Sequence, residues 1–344
     1  MLVVSSPSFS GHQPPLGHPE RPERAEVMSR VAARWESLGG QVVEPTPADV
    51  HVLARIHDSS YIKDIASTSG RRVQLDSDTY TSPKSEMVAR LAAGAAIEAT
   101  EHALTHSTSA LAFVRPPGHH AERARAMGFC LYNNAAIAAA HAIAKGVERV
   151  TVIDYDVHHG NGTQRIFYDE PRVLYISTHQ YPFYPGTGAA TDIGNGEGVG
   201  TTVNIPLEAG AKDADFDLVF RDVVVPVVTA FEPQLVVLSA GFDAHADDPL
   251  GGMHLSTEGY RTLTHHVRRL AIDHCDGRLA VVTEGGYDLA ALEECLEATL
   301  EVAAEKSLAK VEMVDGSTEI ARAALGSVKR TLAPYWPVFD GRQQ

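Results

Sequence analysis

The chain has 344 residues, 44% hydrophobic and 21% charged, a composition that excludes extended disorder and allows a large buried core. Its 44 acidic and 29 basic residues leave a net charge of −15. That argues against direct binding to nucleic acid; it favours cationic substrates or peptide tails, or serves only to keep the surface soluble.

Cys130, Cys275 and Cys295 form no CxxC pair, so neither a disulfide framework nor a zinc–thiolate site is expected, and a reducing cytoplasm fits. Residues 1–6 are too short an apolar run for a signal peptide and read as an opening strand. No segment is long and apolar enough to span a membrane. The proline-broken loop from Gly17 to Arg24 precedes a helix over 25–38 and is placed to reach back over a site. Residues 84–105 carry an Ala-rich pattern that calls for a packed helix. Apolar runs at 111–114, 149–153, 173–177, 202–207, 235–239 and 279–283 then alternate with helical windows at 131–145, 162–169, 214–231, 257–274 and 288–305. This alternation predicts an α/β fold, a mostly parallel sheet with helices on both faces, within one domain spanning 1–344. The irregular stretch from Gln180 to Gly200 reads as a site-lining loop. From about Lys310 onward only an amphipathic helix, Glu319 to Leu332, is legible.

Polar clusters follow four of the apolar runs: Arg115 to Ala121, Asp154 to Gly162, Gly241 to Asp248, and Glu284-Gly285-Gly286-Tyr287. Strand ends that converge on one rim are where open α/β sheets bind ligands. Asp156 and His158 stand one residue apart, so extended backbone would aim both side chains the same way, with Asp243 arriving from a neighbouring strand end. Together they offer the imidazole and carboxylate set of a catalytic zinc site. An isolated Asp-x-His more often hydrogen-bonds a loop; the four coincident clusters favour the metal. His119 and His120 can both face a cavity only through a turn at Pro117-Gly118, and Asp154 and Asn161 are their expected acceptors. Tyr287, after two glycines, is free to donate to an oxyanion.

These motifs, with Gly128-Phe129-Cys130-Leu131-Tyr132-Asn133-Asn134 and Pro185-Gly186-Thr187-Gly188, resemble the zinc-dependent histone deacetylase and acetylpolyamine amidohydrolase superfamily, closest to bacterial relatives of the class II deacetylases. The resemblance implies an arginase/deacetylase fold, with a sheet of about eight strands between helices, and hydrolysis of N-acyl amides. It implies Asp156, His158 and Asp243 as zinc ligands, His120 as general base and acid, His119 with Asp154 as electrostatic support, Asn161 as the partner of His120, and Tyr287 as oxyanion donor. Gly128, Phe129, Tyr184 and Leu250 would line an acyl-lysine tunnel, and Asp78 would hold substrate backbone at the rim. A potassium ion would lie on Asp154, Asp156, His158, Ser177 and Thr178.

Asn161 stands where class I members carry aspartate, and a neutral partner suits a base. Acetylated lysine in a peptide or protein and acetylated polyamines are both candidate substrates. Leu250, where the polyamine-selective vertebrate member has glutamate, and the lack of a dimer-forming insertion between Tyr61 and Pro116 argue against polyamine specificity. A homo-oligomer is left open. A two-metal ureohydrolase would need a carboxylate at position 160, where Gly160 stands. A non-hydrolysing acyl-amine binder would not need His119, His120 and Tyr287 together.

Overall fold

The apolar runs become strands of a parallel sheet, in a computed structural model that describes residues 1–305, 308 and 312–339. Residues 310, 311 and 340–344 of the expected C-terminal segment therefore lie outside the described residues. The strands are β1 (Leu2–Val4), β2 (Gln41–Val43), β3 (Val73–Gln74), β4 (Tyr80–Thr81), β5 (Ser109–Ala112), β6 (Val150–Asp154), β7 (Val173–Gln180), β8 (Thr202–Leu207), β9 (Leu235–Ala240) and β10 (Leu279–Thr283). An 8-stranded parallel sheet has the order β2-β1-β5-β10-β9-β6-β7-β8, while β3 and β4 pair separately as an antiparallel hairpin.

The helices are α1 (Glu23–Ser37), α2 (Val50–Leu53), α3 (Ser59–Ala66), α4 (Ser85–His106), α5 (Asn134–Ala144), α6 (Asn161–Phe167), α7 (Asp213–Val219), α8 (Val225–Phe231), α9 (Thr257–Cys275), α10 (Leu289–Ala304) and α11 (Glu319–Leu332). Alternate strand residues feed two cores. Leu111, Ile153, Leu238 and Val281 face α1 and α7 to α11, whereas Ala112, Val152, Val237 and Val282 face α3 to α6. On α11, Ala321, Leu325, Val328 and Leu332 form the buried stripe that its helical period predicts.

Several boundaries differ from the sequence expectation. Strand β5 starts and stops two residues before the run 111–114, because the Val114 N–H is taken by Thr283 Oγ1 at 2.8 Å instead of a ladder partner. The window 214–231 is not one regular helix: a π-helical turn at Phe220–Val224 separates α7 from α8. Pro226 explains it, since its ring cannot donate to the carbonyl one turn back and crowds it, and a wider turn relieves the clash. Strand β2, helices α2 and α3 and the β3–β4 hairpin were not anticipated; all are short.

After β5 the chain crosses to β6 and builds outward through β7 and β8, then returns to insert β9 and β10 into the gap. The C-terminal ends of β5, β10, β9 and β6 therefore lie side by side at a reversal of strand order, where open α/β sheets leave a crevice.

Candidate active site

Strand β6 ends at Asp154, so Asp156 and His158 are not aligned by extended alternation as the spacing predicts. A turn gathers them instead: Asp156 Oδ1 accepts the His158 N–H at 2.9 Å. His158 Nδ1 then lies 3.1 Å from Asp156 Oδ1 and 3.2 Å from Oδ2 of Asp243, which follows β9. Backbone amides hold the remaining oxygens, Gly285 N–H on Asp156 Oδ2 at 2.9 Å and Val157 N–H on Asp243 Oδ1 at 2.8 Å.

One ligand atom from each of the three residues falls within 4.8 Å of the others. A tetrahedral ion with ligands at about 2.0–2.1 Å separates neighbouring ligand atoms by about 3.3 Å, so this donor set fits zinc in type and spacing. Its electrostatics agree. Burial opposes charge on His158, yet hydrogen bonds to Asp156 and Asp243 lift its pKa to about 10. Burial, then the charge on Asp156, pushes the Asp243 carboxyl up to about 7. Two carboxylates confined this closely favour a cation between them.

The tandem histidines sit on a turn that strand β10 braces. Glu284 Oε2 accepts the N–H groups of Gly118 and His119 at 2.6 and 3.1 Å, and its Oε1 accepts from the Ser239 hydroxyl at 3.1 Å. Asn133 caps α5 by accepting from the Ala136 N–H and donates to the carbonyls of His119 and Ala121. His119 Nδ1 lies 3.1 Å from Asp154 Oδ2, and His120 Nδ1 lies 2.8 Å from Asn161 Oδ1. The Asn161 amide N–H groups are directed at Glu122 and Met127, so its oxygen faces His120, whose Nδ1 carries the proton and whose Nε2 is the free base.

The two rings stand 4.0 Å apart but differ in their tendency to carry charge. Burial works against charge on His119, but Asp156 and Asp154 raise its pKa well above that of free histidine. Burial, then the charge on His119, lowers His120 well below it. The adjacent rings are thus pushed in opposite directions, His119 toward and His120 away from the charged form.

A cavity of about 240 Å³ opens on this cluster. The expected residues Asp78, His120, Gly128, Phe129, Tyr184, Leu250 and Tyr287 all line it, with His158 and the unanticipated Phe183. His119 lies behind His120 and outside the lining, so the tandem pair does not face the cavity equally. Phe183 stacks on His158 at 5.4 Å and 16°, Tyr184 meets His120 edge-on at 5.2 Å, and Phe129 meets Tyr287 edge-on at 5.7 Å. Phe129 holds φ at 68°, a strained value for an aromatic residue and one that recurs at functional sites. Gly128 cannot be larger, because a Cβ there would stand 2.3 Å from the His120 ring. A groove of about 1060 Å³ adjoins the cavity at Leu250 and Tyr287 and is walled by residues 13–23, so the Gly17 to Arg24 loop does reach the site.

Beneath the cluster, Asp154 and Ser177 are opposite each other in the β6–β7 register. Ser177 Oγ pairs with His179 Nδ1 at 2.8 Å, and the buried Thr178 hydroxyl has no partner among the described residues. At Gly160 a Cβ would stand 2.4 Å from Asp154 Oδ2 and 2.5 Å from the Tyr175 hydroxyl, so no carboxylate fits there. The bracing parts, Glu284 and Asn133, escaped sequence reasoning; the only signal was their place inside the quoted motifs.

Residues 18–303 match the histone deacetylase domain. A probable deacetylase of Archaeoglobus fulgidus is 40% identical over 291 residues, 83% of this chain and 81% of that one. A histone deacetylase-like amidohydrolase of Pseudomonas aeruginosa is 41% identical over 298 residues, 84% of this chain and 78% of that one. The crystal structure of the HDA15 HD domain superposes with a TM-score of 0.90 at 35% identity, covering 99% of this chain and 98% of that one. Zinc dependence is the norm in this family, and the eight-stranded parallel sheet is its fold. The chain thus belongs to the histone deacetylase family and is a deacetylase, a hydrolase of acetylated amides.

Proposed function

We propose that the protein is a zinc-dependent amidohydrolase that removes acetyl or another short acyl group from lysine side chains, working in the cytoplasm as a single domain over 1–344. One observation carries this reading: the Asp156, His158 and Asp243 donors converge where His120 and Tyr287 line the same cavity. When bound there, zinc polarises the acyl carbonyl and makes water nucleophilic near neutral pH. Neutral His120 takes the proton of the attacking water at Nε2 as the new C–O bond forms. It returns that proton to the departing amine as the C–N bond breaks. The His119 imidazolium keeps its proton and lowers the basicity of its neighbour, so that return is easy. Tyr287 donates its hydroxyl hydrogen to the carbonyl oxygen as charge develops. Phe129, Phe183 and Tyr184 enclose the methylene chain and exclude water, and Asp78 accepts from substrate backbone at the rim. Potassium would rest on oxygens of the Asp154, Asp156, His158, Ser177 and Thr178 group.

An acetylpolyamine substrate fits less well, since position 250 offers leucine and no carboxylate to a second ammonium group. Turnover of the zinc-loaded protein on an acetyl-lysine peptide and on an acetylated polyamine, with trifluoroacetyl-lysine as reactive control, tests the reading. Preference for the peptide by more than about tenfold, about 1.4 kcal/mol, is expected. The reverse preference would assign small-molecule chemistry, and no turnover on any of the three would leave only a binder.

A further inference from the structure

The loop that presents Tyr287 begins with Gly285 and Gly286, and Gly286 adopts φ 118°, so its own backbone does little to fix it. Outside groups hold it on two sides. From one side the buried Arg24 guanidinium donates to the carbonyls of Gly286 and Glu284 at 2.7 and 2.5 Å and lies 5.0 Å from the Tyr287 ring centre. From the other, Asp248 Oδ2 accepts the N–H groups of Tyr287 and Asp288 at 2.6 and 3.1 Å. The second oxygen of the same carboxylate, Oδ1, accepts the Leu250 N–H at 2.9 Å. Asp248 is 6% exposed and does not line the cavity, and no proposed step uses it.

We propose that Asp248 is the positioning residue of the oxyanion donor, locking the Tyr287 backbone and the Leu250 wall into one register. This rests on the reading of Tyr287 as that donor. A tyrosine hydroxyl is far from its Cα, so a small backbone rotation displaces it widely, and a misplacement of about 1 Å costs roughly 10²-fold in rate. A carboxylate suits the task because its two oxygens hold the backbone of two lining residues, Leu250 and Tyr287, at once. Asp248→Asn keeps one acceptor oxygen and turns a donor toward the other amides, so it breaks half of the link; Asp248→Ala breaks all of it.

The test is a double-mutant cycle on the zinc-loaded full chain, with kcat and KM measured on an acetyl-lysine peptide and zinc content checked by elemental analysis. Asp248→Ala is expected to lower kcat by about 10–100-fold, with KM and zinc little changed, and Asp248→Asn by less. In a Tyr287→Phe background the same substitutions should cost no more than roughly threefold, because there is no hydroxyl left to position. Trifluoroacetyl-lysine, whose carbonyl is more electrophilic and leans less on a donor, should lose less than acetyl-lysine. If Asp248→Ala does not fold, the Asp248→Asn cycle decides. Equal losses in both backgrounds, or parental kcat in both variants, would overturn the inference while leaving Tyr287 in its role. Full turnover by Tyr287→Phe alone would overturn the reading of Tyr287 and the inference with it.

Discussion

Two buried clusters of charge lie within the same fold and are built on opposite principles. In one, Arg115 grips both oxygens of Glu20 at 2.5 and 2.7 Å, spends another N–H on the carbonyls of Phe9 and His12, and Arg24 adds a second guanidinium at 3.2 Å. Burial opposes charge on Glu20, but Arg115 and His12 hold its carboxyl far below the ordinary range. The other cluster gathers Asp154, Asp156, Asp243 and Glu284 around His119 and His158, and among the described residues no arginine or lysine hydrogen-bonds or ion-pairs with these side chains. There burial pushes both Asp243 and Glu284 up to about 7. A charge that the chain neutralises for itself is architecture, whereas charge left to titrating groups is poised for a ligand. The clusters meet at Arg24, which belongs to the first and touches the Tyr287 loop of the second.

Removing one member from each cluster should separate these principles. Asp243→Ala should take turnover to the background rate and abolish zinc binding while the chain still folds; a fully metallated variant, by elemental analysis, would mean that the ligand set is wrong. Arg115→Met strips the permanent cation from the first cluster and strands Glu20. Chemical denaturation should show a loss of about 3–5 kcal/mol, with zinc per folded chain unchanged.

The smallest effect is expected from Asn161→Asp, which adds a carboxylate beside His120. An adjacent negative charge favours imidazolium, so the His120 pKa rises by about one unit or more. A base is active only when deprotonated, and the acid limb of the pH–rate profile should move to higher pH by the same amount. Activity at pH 6 would then fall relative to pH 8. An unmoved limb would show that another group titrates there.

The site was legible because its chemistry sits at strand ends, where β-branched runs such as residues 150–153 stop and polar residues begin. Short elements were not: β2 is a three-residue strand with an exposed and half-exposed burial pattern, and carries no alternation to read. Phe183 was missed because the 180–200 loop has no period to align it with His158. Arg24 and Asp248 were invisible for a different reason, since each acts on backbone atoms of a segment distant in sequence and side-chain motifs do not record such contacts. Asp156 and His158 do come together, but through a turn and not through the strand alternation that their spacing suggested.

Gly160 carries one last consequence, for how this chemistry can change. Any side chain there collides with a carboxylate and a phenol that already serve His119 and the β6–β7 floor. A second metal ion could not be recruited by one substitution, because Asp154 and Tyr175 would have to be rebuilt together with it. Occupied volume bars a carboxylate from position 160, and mutational drift cannot open that space one residue at a time.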